Sequence, residues 1–93
     1  MYAVISVHTP KPEYRDELID SMHRFGAALQ GQPGLVGAHT LAETGGNRLI
    51  GLAMFETREA AQAAMPIANQ AVANDDFDLW EASETEGFRL IEV

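Results

Sequence analysis

The chain opens on a run from Tyr2 to Thr9 in which apolar residues occupy both parities. Tyr2 and Val4 lead one face, continued by Ser6 and His8, while Ala3, Ile5 and Val7 form the other. A strand apolar on both sides is one buried on both sides. Pro10 and Pro12 end it, because neither can donate to a ladder. Pro12 suits the first turn of a helix. From there Tyr14, Leu18, Met22, Phe25 and Leu29 recur at spacings of 4, 4, 3 and 4, one stripe of an amphipathic helix. Gly31-Gln32-Pro33-Gly34 stops it.

A second strand is predicted over Leu35–Glu43, with Leu35, Gly37, His39 and Leu41 on one face. A third follows over Arg48–Glu56, with Ile50, Leu52 and Met54 opposite Leu49, Gly51, Ala53 and Phe55. Thr44-Gly45-Gly46-Asn47 joins the two as a hairpin. Thr57 is placed to cap the next helix, which begins in the alanine-rich run from Arg58 to Met65. Pro66 removes a backbone donor and crowds the preceding turn, so a break or kink is expected there, with a second helical piece over Ile67–Ala73. Phe77–Ala82 is open between loop and short strand, and Phe88–Val93 reads as the last strand.

The order β-α-β-β-α-β describes an α+β, ferredoxin-like split βαβ sandwich in one domain, residues 1–93. Two helices cover one face of such a sheet. The first and third strands are apolar on both faces, so a second copy of the chain is expected to cover the other, making a homodimer.

Composition narrows the function. Fourteen acids against six bases give a net charge of −8, which disfavours nucleic acid as a partner. Seven of those acids fall from Asp75 onward, against Arg89 alone. The absence of cysteine excludes disulfides and thiol chemistry. No apolar run is long enough to span a membrane and the N-terminus lacks a basic leader, so a cytoplasmic protein is expected. Three scattered histidines have no metal-ligand spacing, and no glycine-rich phosphate loop occurs.

Several segments together are similar to one family. They are the strand Tyr2-Ala3-Val4-Ile5-Ser6-Val7, the helix start Lys11-Pro12-Glu13-Tyr14, the turn Gln32-Pro33-Gly34-Leu35-Val36-Gly37 and the junction Met54-Phe55-Glu56-Thr57-Arg58-Glu59-Ala60-Ala61. The chain resembles the antibiotic-biosynthesis monooxygenase family of dimeric α/β barrels over residues 1 to about 73. The resemblance implies the barrel fold and a range of activities: cofactor-independent oxidation of polycyclic phenols and quinols, haem degradation, and members with no assigned substrate. Haem-degrading relatives carry an axial histidine on the second helix and an asparagine near the first strand. Here that helix has no histidine, and the strand has Ser6 and His8. Phenol-oxidising relatives carry an asparagine and, four residues on, a tryptophan on the second helix. Asn69 matches the first, and Ala73 stands in place of the second.

Four residues are the candidates for a site. His8, at a strand end, is a candidate base or hydrogen-bond donor at a pocket mouth, since imidazole titrates near neutral pH, the alternative being a residue half in solvent. His39, mid-strand, is a candidate to orient a substrate oxygen, the alternative being a place at a subunit interface or on an edge strand. Asn69 is a candidate anchor for a phenol or quinone oxygen, and Trp80 a surface for stacking a planar ligand. His23 is expected on the surface. The break or kink at Pro66 is expected to open a cavity between the second helix and the sheet, with Asn69 and at least one of His8 and His39 on its wall. The reading is a cofactor-independent monooxygenase for a small aromatic phenol or quinol, with no metal. The alternative is a non-catalytic, small-molecule-binding or stress-related dimer of the same fold.

Overall fold

The expected order of elements is present in the computed structural model, which describes residues 1–93. Strand β1 spans Tyr2–His8 and is followed by a single 3-10 turn at Pro12–Tyr14 and helix α1, Arg15–Leu29. Strands β2 (Leu35–Ala42) and β3 (Leu49–Phe55) form the hairpin. Helix α2 covers Arg58–Ala71, and a one-turn helix, α3, covers Phe77–Trp80 where the sequence left loop and strand open. Strand β4 is Glu86–Ile91. The sheet is antiparallel throughout in the order β2-β3-β1-β4, as a split βαβ sandwich requires. No helix is long and apolar enough to cross a membrane.

The register explains where the helices sit. On the face toward them, one rung of the sheet carries Leu35, Phe55, Tyr2 and Ile91, and the next carries Ala38, Ala53, Val4 and Arg89. The third carries Thr40, Gly51, Ser6 and Gly87, and a fourth Ala42, Leu49 and His8. Phe55 and Leu49 are almost wholly buried there. The core is split. A larger cluster packs Tyr2, Val4, Ala53 and Phe55 against Leu29 and the small residues Ala61, Ala64 and Ala68 of α2. A smaller one joins Leu18 and Met22 of α1 to Leu49, with Phe77 and Trp80 against it. The stripe read from Tyr14 to Leu29 is thus the buried face of α1, and each fully buried leucine on it contributes about 1.5–3 kcal/mol.

The strand β2 departs from strict alternation. A bulge between Leu35 and Gly37 puts Leu35 on the helix side, packed on the larger cluster together with Ala38. Gly37, His39 and Leu41, expected beside Leu35, lie on the opposite face, where their partners are Met54, Leu52 and Ile50. The turn before β2 needs Gly34. Its φ is +82°, and a Cβ there would stand 2.6 Å from Cβ of Ala60, because the turn packs onto the start of α2. Thr57 caps that helix as expected, its hydroxyl accepting from the Ala60 amide at 3.1 Å.

Pro66 does not break α2. The helix runs through it and ends at Ala71, with Val72 as its cap. The residue lies on the exposed side, between the inward-facing Ala64 and Ala68, and Gln62, whose carbonyl loses its donor, is exposed as well. A carbonyl that faces water keeps a hydrogen bond from solvent, and helices over a core already open slightly on that side. The proline therefore weakens α2 without ending it. Pro66→Ala restores the missing donor and is expected to raise stability by about 1–2 kcal/mol in urea denaturation, less than the full propensity difference because proline also restrains the unfolded chain. A fall in stability would show that the ring itself is needed.

Candidate functional site

The two core clusters do not meet. Between them lies a cavity of about 650 Å³, roofed by α1 and α2 and floored by the sheet. Its origin is the third rung. Gly51 and Gly87 are the register partners of Ser6 on either side, so the middle of the floor carries almost no side chain. Met22 and Phe25 of α1, Met65 of α2 and Val4 of the floor make much of the wall apolar. A cavity is present, but no helix break opens it: α2 is continuous through Pro66, and the side chains missing from the sheet leave the space.

Ser6 and His8, two apart on β1, both point to the helix side. His8 is not half in solvent; it is only 7% exposed. The segment after α3 closes over it, held to the end of β1 by backbone hydrogen bonds from Lys11 to Trp80 and from Ala82 to Thr9, with Pro10 bridged to Glu81. That closure brings in Glu81, 8% exposed. Its Oε1 lies 3.0 Å from His8 Nδ1, and its Oε2 accepts from the Thr85 hydroxyl at 2.6 Å. His8 Nε2 lies 2.9 Å from Ser6 Oγ. Phe77 stacks beside the imidazole at a centroid distance of 6.4 Å. A buried carboxyl group thus sits on one ring nitrogen of His8 and a hydroxyl on the other. His8 was legible in the sequence, whereas Ser6, Glu81 and Thr85 were not singled out. Ser6 carries the alternation signal that places it on the face of His8. Glu81, 73 residues away, had none.

The other candidates separate. Asn69 stands on α2 at the cavity wall, exposed and without a side-chain hydrogen bond, so its amide is free for a ligand. His39 borders the cavity at the level of the sheet, but the bulge in β2 puts its side chain on the opposite face, across from Leu52. It does not stand with His8. Trp80 is not part of the cavity wall. It packs on the smaller core cluster and meets the edge of Phe77 at 5.9 Å, so it supports the ring that flanks His8 instead of facing a ligand. His23 is exposed, as expected, at the rim. No group of three or more His, Asp or Glu residues is gathered in a way that could hold a metal ion.

One further polar contact borders the cavity. Ser21 of α1 donates to Asp75 Oδ2 at 2.5 Å, and Arg24 donates to the same oxygen at 2.7 Å. Burial opposes the charge on Asp75, but the hydrogen bonds from Ser21 and Arg24 outweigh it and hold the carboxyl below its ordinary range. The contact ties the turn after α2 to α1 and so fixes one end of the cavity roof.

The chain matches no protein-family model and none of the curated proteins by sequence. Solved structures are similar to it over its whole length. Rv0793 from Mycobacterium tuberculosis superposes with a TM-score of 0.83 at 16% identity, covering 99% of this chain and 94% of that one. A structure described as an antibiotic biosynthesis monooxygenase gives 0.79 at 14% identity, covering 100% and 99%. A variant of SnoaB, a cofactor-independent oxygenase from Streptomyces nogalater, gives 0.78 at 17% identity, covering 98% and 91%. At such identities the agreement lies in the backbone, and it is complete from the first strand to the last: this chain has the fold of the antibiotic-biosynthesis monooxygenases.

Proposed function

We propose that the cavity binds a small planar phenol or quinol and that the protein oxidises it with O2, using no bound cofactor. The observation that carries this reading is the placement of His8. It is a buried imidazole, backed by Glu81, beside a largely apolar cavity of about 650 Å³. That volume suits a small organic ligand. An apolar site with one supported base favours a substrate that is mostly hydrocarbon and carries an acidic hydroxyl. The description of SnoaB as a cofactor-independent oxygenase lends support through shared fold.

The chemistry needs little else from the protein. The substrate hydroxyl loses its proton toward His8, and the resulting anion, being electron-rich, passes one electron to O2. The radical pair combines at a ring carbon to give a hydroperoxide, which loses water. A phenol with a free para C–H becomes a quinone; one O2 is consumed, one oxygen atom enters the product and the other leaves as water. Asn69 supports orientation by offering an amide to a ring oxygen, and the apolar walls hold the ring. Oxygen uptake with a panel of phenols and quinols tests this. His8→Gln, which leaves a polar partner for Glu81, is expected to lower kcat/KM by about 10²–10⁴-fold. Unchanged turnover in that variant would remove His8 from the chemistry. Binding of the panel to the wild type without uptake would favour a binding protein over an enzyme.

The face of the sheet away from the helices supports the second proposal, a homodimer. Ile5, Leu52 and Met54 lie there in the centre. Leu41, Phe88 and Leu90 stand around them, each about half exposed at 46–47%. No element of the chain covers this face, and its width and apolarity fit a second copy of itself. Sedimentation at micromolar concentration is expected to give twice the chain mass of 10.1 kDa; a stable monomer would contradict the proposal.

A further inference from the structure

We propose that Ser6, and not His8, is the group that meets the substrate hydroxyl, and that Glu81, His8 and Ser6 form a proton relay ending in the cavity. The inference rests on the reading of the cavity as a phenol or quinol site and deepens it.

Both nitrogens of His8 are engaged. Glu81, a carboxylate, accepts from the Nδ1–H at 3.0 Å, so that nitrogen carries the proton and Nε2 is the acceptor. The Ser6 hydroxyl donates to Nε2 at 2.9 Å. With the ring almost wholly buried, no imidazole nitrogen is left for a ligand. Ser6 is different. It is only partly buried and lines the cavity, and its oxygen has donated its proton but keeps lone pairs to accept one. Its register partners across the sheet are the glycines at 51 and 87, so neither carries a side chain to shield it; the nearest cover from above Gly51 is the Met22 methyl. The hydroxyl leans over Gly51, where a Cβ would come within 2.6 Å of Ser6 Oγ. The glycine there makes room for this position as much as for a ligand.

The same three residues, in order carboxylate, imidazole and hydroxyl, resemble a nucleophilic triad. The surroundings argue for proton transfer instead. β1 is an inner strand paired on both sides through Ser6, with Gly51 and with Gly87, so its backbone amides are committed to ladders. No pair of free N–H groups flanks Ser6 to hold the oxyanion that acyl transfer would form. In the relay no covalent bond to the protein is made. The substrate O–H gives its proton to Ser6 Oγ as Ser6 gives its own to His8 Nε2. The products are a bound phenolate, an unchanged serine and an imidazolium beside Glu81, whose charge compensates it. Thr85, donating to the other oxygen of Glu81, keeps that carboxylate aimed at the ring.

The test needs no turnover. Under anaerobic conditions 4-nitrophenol is titrated with the protein and the phenolate absorbance is followed against pH, with 4-nitroanisole, which has no acidic proton, as a control ligand. In the wild type the bound phenol is expected to ionise at least about one pKa unit below its free value, a tenfold shift in the equilibrium. Ser6→Ala is expected to abolish that shift while binding 4-nitroanisole within about twofold of the wild type, and Ser6→Thr, which keeps a hydroxyl, to restore it. Glu81→Gln is expected to reduce the shift, because a positioning residue acts through the ring and not on the ligand. A shift that persists in Ser6→Ala would overturn the proposal and make His8 the direct acceptor. Covalent labelling of Ser6 by a fluorophosphonate would also overturn it, by making the serine a nucleophile. Binding of 4-nitrophenol to the wild type with no shift would defeat the relay alone, and failure of both ligands to bind would defeat the reading of the cavity.

Discussion

One rung of the sheet divides the core of this protein. A four-stranded sheet under two helices would normally close into a single apolar core. Here the rung of Thr40, Gly51, Ser6 and Gly87 has little side-chain volume, and the core divides around it. Below the divide, Phe55, Tyr2 and Val4 meet the alanines of α2, which are small enough to let that helix approach. Above it, Leu49 meets Leu18 and Met22 of α1. The gap persists because both sides are packed well enough to stand without it. The result is an open pocket of about 650 Å³ beneath the helices, of a size that suits the small ligand proposed above.

The groups proposed to carry the chemistry lie at the edge of the same gap. Ser6 belongs to the hollow rung and His8 to the next. The strand alternation that faces Tyr2 and Val4 into the core therefore faces a hydroxyl and an imidazole toward the cavity. Burying Glu81 beside His8 is costly for a lone carboxylate, and the hydrogen bonds from Thr85 and the imidazole offset that cost. The short helix α3 is what makes this possible. Asp76 caps it by accepting from the Leu79 amide, and the chain leaving it folds back along the end of β1. Within the acidic C-terminal segment Asp75 and Glu81 are drawn into side-chain contacts, and the other acids remain on the surface.

Most of the fold was legible because it rests on local patterns. The stripe from Tyr14 to Leu29, the hairpin over Thr44–Asn47 and the Thr57 cap each follow from residues close in sequence. The misreadings have physical reasons. A bulge at the start of β2 shifts the parity of every later residue, which moved His39 to the far face. Pro66 costs a backbone hydrogen bond, but it sits where the helix faces water, so the helix continues through it. For the site, His8 and Asn69 were visible as polar residues at suggestive positions. Glu81 was hidden among other acids, and Ser6 looked like an ordinary strand residue until its two glycine neighbours came together from β3 and β4.

The glycines of the hollow rung keep the floor of the cavity open. Gly87 allows a clean measurement, because a Cβ placed there meets no atom within 4 Å. The dissociation constant for 4-nitrophenol, measured together with the urea midpoint in Gly87→Phe, tests it most directly. The account predicts that the ring enters the space beside Ser6, weakening binding at least tenfold while stability holds or rises by up to about 1 kcal/mol, since an aromatic residue suits a strand better than glycine. Undiminished affinity in a stably folded Gly87→Phe protein would contradict it.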